Sequence, residues 1–308
     1  MAPIWDGRLI RMRRWSFTKG HGTENDFVVL LDRESMLEVG PAEVRFICDR
    51  RAGIGADGLL RAVLAKHVDS WDGDGALWFM DYRNADGSLA EMCGNGIRVF
   101  VRFLLEQDLV TGPIVKIATQ SGLKVVTALP DGRIRASMGS VAIRNNRVIV
   151  TTADGGEFKA LSVDVGNPHA VSFVENLDHL RLDAAPRCNP AEEFPHGVNL
   201  EFVRSLETHH IAMRVYERGV GETRSCGTGT VAAAAAAHAH DQDEGPLPVI
   251  YRVEVPGGTV EVELAKDGAY LTGPAVLVAH GELAVPDRLA LHDVAIPTST
   301  APGVSGTV

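Results

Sequence analysis

CGNGIRVFVRFLLEQ, residues 93–107, and CGTGTVAAAAAAHAH, residues 226–240, both open with Cys-Gly-polar-Gly and continue as a long apolar run. Each run has the length of a helix and few charged side chains, and a helix that is apolar on most sides is normally buried. The two stretches therefore predict two buried helices, with Cys93 at the N-terminus of the first and Cys226 at the N-terminus of the second.

The segments around these helices repeat as well. A strand pattern precedes each helix, over 76–87 and 209–219, and three strands joined by tight turns follow, over 114–138 and 249–273. This order predicts a duplication. We expect an α+β fold of two similar, pseudo-symmetric domains, each a curved and mostly antiparallel sheet wrapped around its central buried helix, with the active site in the cleft between them.

The duplication also predicts where the domains begin and end. The N-terminal domain is expected over residues 15–140 and the C-terminal domain over residues 141–274. A last strand is expected over 275–285, and a return to the N-terminal domain is one course open to it. Residues 1–14, which are basic, and 286–308, which are rich in small and polar residues, are expected to be a disordered extension and a disordered tail.

Composition narrows the possible partners. The chain has 308 residues, 45% of them apolar, and a formal net charge of −10. A nucleic acid or an anionic membrane would require clustered lysine and arginine, so neither is expected as a partner and a small-molecule ligand is favoured. No apolar run is long enough to cross a bilayer and no signal peptide is recognisable, which predicts a cytoplasmic protein.

A cysteine at the start of a helix is suited to acid–base chemistry. The unpaired N–H groups and the positive end of the helix dipole favour an anion there, which predicts a lowered thiol pKa. The neighbouring glycines leave backbone amides accessible to a carboxylate. Two such thiols facing each other across a cleft could remove a proton from one face of an amino-acid Cα and return it on the other, which is the chemistry of a racemase or an epimerase.

Six motifs carry a resemblance that covers nearly the whole chain, from Phe17 to Leu283. They are KGHGTENDF (19–27), GIGADG (53–58), NADGSLAEMCGNGIR (84–98), VGNPHAV (165–171), FPHGVNLEF (194–202) and YERGVGETRSCGTGT (216–230). In this order they resemble the diaminopimelate epimerase family, whose members interconvert LL- and meso-2,6-diaminopimelate in lysine and cell-wall precursor biosynthesis. The resemblance implies an isomerase that needs no cofactor or metal and works as a homodimer.

The family pattern also implies a role for each matching residue. Cys93 would donate and Cys226 accept the proton in the LL to meso direction, while His169 and Glu217 would tune the thiol pKa values. The matching substrate-binding positions are Asn25, Asn84, Gly94, Asn95, Asn167, Asn199, Glu217, Arg218, Gly227 and Thr228. Among them, Arg218 could take the distal carboxylate of the substrate through two hydrogen bonds, and Glu217 could accept from its ammonium group.

Each of these positions also has a purely structural interpretation. Asn84 and Asn167 could close turns, His169 could be a structural residue, and Glu217 with Arg218 could form a solvated strand end. GIGADG formally fits a dinucleotide-binding fingerprint, but a helix pattern precedes it and a strand follows. Because the fingerprint needs the opposite order, we interpret it as a turn.

Two alternative functions stay open on the sequence. One is a racemase of the same two-thiol type that acts on an amino acid with a single carboxylate, such as proline; the charged pair Glu217-Arg218 argues against it. The other is a thiol–disulfide redox protein that cycles Cys93 and Cys226, which would exchange no proton at a substrate Cα.

Overall fold

The structure, a computed structural model, describes residues 4–5, 8–9, 12–241 and 246–287. Strands make up most of it. Those of the first half are β1 (Ile4–Trp5), β2 (Arg8–Leu9), β3 (Met12–Gly22), β4 (Asn25–Leu31), β5 (Gly58–Leu64), β6 (Trp78–Asn84), β7 (Leu89–Ala90), β8 (Ile114–Thr119), β9 (Gly122–Ala128) and β10 (Ile134–Gly139).

The second half repeats this succession of strands. They are β11 (Ala142–Thr151), β12 (Glu157–Asp164), β13 (Pro168–Phe173), β14 (Arg187–Asn189), β15 (Asn199–Glu207), β16 (His210–Glu217), β17 (Gly221–Thr223), β18 (Val249–Val255), β19 (Gly258–Ala265), β20 (Gly268–Gly273) and β21 (Val276–Pro286). The helices are α1 (Pro41–Cys48), α2 (Gly94–Glu106) and α3 (Gly227–His240), with short 3-10 turns at Ala65–His67 and Ala191–Glu193.

Strand pairing shows the same unit in both halves. β6 and β8, which precede and follow α2 along the chain, pair in parallel. In the same way β16 and β18, before and after α3, pair in parallel. A second parallel pair, β4 with β5, corresponds to β13 with β15. The remaining ladders are antiparallel. The α+β fold of two similar domains around buried helices is therefore confirmed, with a sheet that is mixed at two equivalent places in each half.

Two antiparallel ladders join the halves. β10 pairs with β20, with Ile134 opposite Gly273, and β21 pairs with β3 from Val276 opposite His21 to Pro286 opposite Met12. The last strand of the chain thus belongs to the sheet of the first half. The domain boundaries near residues 140 and 274 stay a proposal; they fall between β10 and β11 and directly after β20.

The central helices are buried because sheets enclose them. Val231 and the six alanines of α3, residues 232–237, are at most 5% exposed, and α2 buries Ile97, Val99 and Phe100 completely. Alanine favours the helix and lets the surrounding strands approach closely. In the first half, β4 and β5 are buried on both faces, since α2 covers one face and α1 packs on the other. A strand covered on both sides reads as an unbroken apolar run, as FVVLL in β4 does.

The terminal predictions need one correction. Residues 12–14 were expected in a disordered extension, but they form the start of β3, where Trp15 packs into the core beside α1. Ile4–Trp5 also pairs with Arg8–Leu9. Pro286, expected in the tail, is the last residue of β21. The rest of the predicted tail, 288–308, and the other residues of the predicted extension lie outside the described residues.

Candidate active site

Cys93 is the N-cap residue of α2. Its backbone is extended, and its thiol sulfur accepts a hydrogen bond from the Gly96 amide at 3.3 Å. The sulfur also lies 3.6 Å from Oδ1 of Asn25, at the start of β4. A second hydrogen bond fixes the side-chain amide of Asn25, because its Nδ2 donates to Asp57 at 2.8 Å. Cys93 therefore sits at the positive end of a buried helix, as predicted, beside an asparagine held in one orientation.

Cys226 occupies the equivalent place on α3. Its sulfur accepts from the Gly229 amide at 3.4 Å and lies 3.6 Å from the hydroxyl of Thr228. The carboxyl group of Glu217, at the end of β16, lies near enough to this thiol for the two to interact electrostatically. The hydroxyl of Thr223 donates to the same carboxyl group. The charge of Glu217 acts on both thiols, since it also raises the pKa of Cys93.

The two helix starts touch each other. A Cβ atom on Gly227 would lie 2.8 Å from Cα of Gly94, closer than real contacts allow, so Gly227 has no room for a side chain. Asn95 strengthens the contact by donating from Nδ2 to the Ser225 carbonyl at 3.2 Å and to its hydroxyl at 3.1 Å. The helix N-termini of the two halves, with their cysteines, therefore meet at one place in the interior.

Asn95 and Thr228 each lie two residues after their cysteine, but their side chains make different contacts. Asn95 is 1% exposed, and its Nδ2 also contacts Oδ1 of Asn25 at 3.2 Å, so its side chain is committed to the contact between the halves. Thr228 is partly exposed and stays within its own half, where it accepts from Asn167 at 3.4 Å. Oδ1 of Asn95 is buried and has no hydrogen-bond partner among the described residues.

The prediction of lowered thiol pKa values is wrong. Burial raises the pKa of Cys93 to about 11, against the hydrogen bond from Gly96, and burial together with the nearby carboxylates of Glu217 and Glu201 raises the pKa of Cys226 well above its ordinary value. The helix N-terminus does favour the thiolate, but loss of water outweighs it. Each thiol is therefore protonated at neutral pH unless a neighbouring base takes its proton.

Glu217 has the properties of such a base. Burial, and the charges of Asp57 and Glu201 behind it, raise the pKa of this carboxyl group to about 7. A group with this pKa changes its protonation state near neutral pH at little cost. Because it lies near enough to Cys226 for the two to interact electrostatically, it is a candidate to exchange a proton with that sulfur.

His169 lies fully buried on β13 between two oxygen atoms. Its Nδ1 is 2.7 Å from Oε1 of Glu201, and its Nε2 is 3.0 Å from Oδ1 of Asn167. Asn167 in turn donates to Thr228 beside Cys226. His169 is thus linked to the second thiol through two side chains rather than by direct contact.

The remaining predicted binding residues lie at strand ends. Asn199 is 6% exposed and accepts a hydrogen bond from the backbone amide of Arg218 at 2.9 Å. The guanidinium group of Arg218 is exposed and donates to the His196 carbonyl at 3.1 Å. Asn84 closes a turn with Ser88, to which its Nδ2 donates at 3.0 Å, in agreement with the structural interpretation.

Several residues of the site were missed on the sequence. Asp57 orients Asn25, Ser225 receives Asn95, and Glu201 pairs with His169. Tyr82 lies close enough to both thiols for their charge to raise its pKa, although burial is the larger cause. Asp57 and Ser225 lie inside two of the quoted motifs, GIGADG (53–58) and YERGVGETRSCGTGT (216–230). Strand alternation could have found Glu201, because it places this residue two positions from Asn199 on the same face of β15.

Comparison with known proteins agrees with this geometry. The family model described as diaminopimelate epimerase matches residues 17–143 and 161–278. A diaminopimelate epimerase of Streptomyces coelicolor is 48% identical over 276 residues, which are 87% of this chain and 95% of that relative. One from Thermobifida fusca is 47% identical over 274 residues, 87% of this chain and 97% of the relative.

The chain belongs to the diaminopimelate epimerase family. Solved structures of lower identity show the wider fold of this family. A phenazine biosynthesis protein of the PhzF family from Bacillus anthracis superposes with a TM-score of 0.66 at 16% identity, covering 88% of this chain and 99% of that one. A hydroxyproline epimerase from Agrobacterium vitis gives 0.62 at 16% identity, covering 90% and 94%. The family and its fold make this protein an isomerase, as the two helix-terminal cysteines suggested.

Proposed function

We propose that the protein is a diaminopimelate epimerase that interconverts LL- and meso-2,6-diaminopimelate. Family membership supports the reaction class, and the adjoining N-termini of α2 and α3, each with a cysteine at its N-cap, carry the proposal for the site. A reaction that removes a proton from one face of a carbon and replaces it on the other needs two acid–base groups, and these thiols supply them.

The proposed reaction balances with no other reagent. In the LL to meso direction the thiolate of Cys226 takes the Cα proton, and the electron pair of the broken C–H bond moves into the adjacent carboxylate as an enolate-like anion. Cys93 then gives its proton to the opposite face of Cα. One C–H bond is lost and one is formed, and the cysteines have exchanged protonation states, so the reverse reaction uses them in opposite roles.

The amides at the two helix starts would hold the reacting carboxylate. Gly94 and Gly227 have no side chain to block an approaching ligand, and the backbone amides of Asn95 and Thr228 lie in the first turns of α2 and α3. Donors and helix dipoles directed at the carboxylate stabilise the charge that develops there during proton removal. The same groups explain why a carboxylate at the reacting centre is required.

The other predicted residues are proposed to recognise the second amino-acid centre. Arg218 offers a guanidinium group for the distal carboxylate, while Asn84, Asn167 and Asn199 offer amide groups for its ammonium and carboxylate. Glu217 has a further proposed role as the base that takes the proton of Cys226, since its pKa, raised to about 7, makes it a stronger proton acceptor than an ordinary carboxylate and its charge acts on that thiol.

Deuterium exchange tests this function directly. The reduced protein is incubated with LL-diaminopimelate in deuterated water, and both the stereochemistry and the deuterium content at Cα are followed. We expect meso product that carries deuterium, with no added cofactor. A thiol–disulfide redox protein would instead oxidise a dithiol substrate and leave Cα unlabelled, and parallel incubation with proline distinguishes an epimerase that requires a distal charged centre from a racemase that does not.

We also propose a homodimer in the cytoplasm. Ile114, Leu123 and Val125 expose apolar side chains on the outer face of the paired strands β8 and β9, an arrangement suited to an interface. A reducing compartment suits an enzyme that needs two free thiols. Sedimentation velocity tests the dimer, and Val125→Asp should shift the protein towards monomer. Among the described residues, no helix has the length and apolar character that crossing a bilayer requires.

A further inference from the structure

Glu201 is a charged residue with no solvent access. It lies on β15, is 0% exposed, and faces the first turn of α3 so closely that a Cβ on Gly229 would lie 2.6 Å from its Oε1. Its other oxygen, Oε2, is buried and has no hydrogen-bond partner among the described residues. Burying a carboxylate in this way is costly, and the reaction proposed above gives it no role.

Within the part of the chain that the structure describes, Glu201 bonds the side chain of His169, at 2.7 Å from Oε1 to Nδ1. The strand register explains the contact. His169 stands opposite Asn199 in the parallel ladder of β13 and β15, and Glu201 follows two residues later on the same face. The carboxylate accepts from Nδ1–H, so the ring can neither rotate nor exchange its nitrogens without breaking this bond.

A continuous path of contacts leads from this pair to the reacting sulfur. Nε2 of His169 lies 3.0 Å from Oδ1 of Asn167, whose Nδ2 donates to Thr228 at 3.4 Å. The hydroxyl of Thr228 lies 3.6 Å from the sulfur of Cys226. Asn167 stands in the middle of this path. Its Oδ1 can only accept, so the contact with the ring requires a proton on Nε2, and exchanging O and N would break both this hydrogen bond and the one to Thr228.

We propose that Glu201 is a positioning residue that acts through His169. Its carboxylate fixes the proton on Nδ1 and thereby holds Nε2, Asn167 and Thr228 in the arrangement that presents polar groups beside Cys226. This rests on the proposed function, because the arrangement serves the thiol that exchanges the substrate proton. A partner that fixes the tautomer and orientation of an imidazole is the recurring use of a buried carboxylate next to a functional histidine.

Two substitutions separate hydrogen bonding from packing. Glu201→Gln keeps an oxygen that can accept from Nδ1–H, whereas Glu201→Met has a similar length and no acceptor of comparable strength. We expect Glu201→Met to lower kcat by about 10- to 100-fold, the range for loss of an orienting partner, with a smaller change in KM, and Glu201→Gln to restore most of the loss. Wild-type kcat in folded Glu201→Met would overturn the proposal, as would a Glu201→Gln variant no better than Glu201→Met.

Asp81→Asn is the matched control. Asp81 is a buried carboxylate in the first half that pairs with Arg61 at 2.9 Å, outside the proposed machinery. Its substitution reports what it costs to alter a buried, bonded carboxylate anywhere in the fold. We expect lower thermal stability and unchanged kcat. An equal loss of kcat in Asp81→Asn and Glu201→Met would reduce the role of Glu201 to stability and overturn the proposal.

A spectroscopic measurement needs neither turnover nor a folded Glu201→Met variant. In protein with isotope-labelled histidine, the nitrogen signals of His169, assigned by comparison with His169→Gln, report which ring nitrogens carry a proton. We expect a proton on Nδ1 in the wild type and in Glu201→Gln. A wild-type ring without that proton overturns the proposal even if epimerisation is confirmed, while failure of the deuterium-exchange assay with the proton present counts against the function and not against this contact.

Discussion

The starts of α2 and α3 have the same backbone arrangement but opposite charged neighbours. Next to Cys93 lies Arg98, fully buried, which donates to the Gly94 carbonyl at 3.1 Å and keeps its charge at neutral pH although burial lowers its pKa to about 10. Next to Cys226 lie two carboxyl groups, those of Glu217 and Glu201. A positive neighbour favours a thiolate and a negative one disfavours it. The carboxylate of Glu217 acts on both thiols, so Arg98 beside Cys93 and Glu201 beside Cys226 make the two unequal while the cap is preserved.

Removing either thiol should have the largest effect on the reaction. Cys93→Ser and Cys226→Ser, made separately, are each expected to lower kcat for epimerisation by about 1,000-fold, because serine is a far weaker acid and base at the same place. The assay is conversion of LL- to meso-diaminopimelate, with circular dichroism as the control for folding. Near-normal epimerisation in one of the two variants would contradict a reaction that uses both faces.

Alanine substitutions at Gly96 and Gly229, each three residues after its cysteine, test how the surroundings of the two helix starts differ. On Gly229 a methyl group would lie 2.6 Å from the Glu201 carboxylate, whereas on Gly96 its nearest neighbour would be Cβ of Cys93 at 3.3 Å. We expect Gly229→Ala to lower the free energy of unfolding by about 3 kcal/mol and Gly96→Ala by about 1 kcal/mol, from overpacking. Urea unfolding measures the free energy of unfolding of both variants. Equal losses would show that the Glu201 carboxylate moves aside to make room for the methyl group.

Asn95 and Thr228, each two residues after its cysteine, should also differ in how much they contribute to stability. Asn95→Ala removes the buried hydrogen bonds from Nδ2 to Ser225 and Asn25, so we expect a loss of about 2 kcal/mol in the free energy of unfolding. Thr228→Ala removes a partly exposed hydroxyl and should cost less than about 1 kcal/mol, with a loss of kcat instead, because this hydroxyl is the group of the path nearest to Cys226. Thermal unfolding of the two variants and measurement of kcat test this; a larger stability loss from Thr228→Ala would reverse the assignment.

Glu217→Gln should have a small effect on stability and a distinct dependence on pH. The pKa of Glu217 in the folded protein, about 7, lies above its ordinary value of 4.5, so the folded state holds a proton that the unfolded state releases. Stability therefore falls as pH rises from about 4.5 to 7. Because the carboxyl group is partly exposed, we expect Glu217→Gln to gain only about 1 kcal/mol above pH 7.

Activity provides the complementary measurement for this variant. If Glu217 accepts the proton of Cys226, kcat/KM in the wild type rises through pH 7, and Glu217→Gln lowers kcat/KM and removes that rise. Asp81→Asn, measured over the same range, controls for general loss of a buried carboxylate. An unchanged pH profile in Glu217→Gln would mean that another group activates the thiol.

The sequence predicted the parts that repeat and missed those that do not. Both helices, their caps and the three strands after each were predictable because apolar periodicity and turn residues act locally. The thiol pKa values were mispredicted because local pattern gives the helix dipole but not the loss of water around Cys93 and Cys226. Glu201 was missed because NLEF reads as an ordinary strand segment, and its partner His169 is 32 residues away along the chain.

The pairing of β21 with β3 has a consequence for synthesis of the chain. A ribosome releases Met12–Gly22 near the beginning, yet the partner strand, Val276–Pro286, emerges only after the entire second half. Chains generally fold in the order in which they are made. Here the half that is made first is completed last, so a nascent chain stopped anywhere before residue 276 leaves β3 with an exposed edge open to wrong pairing.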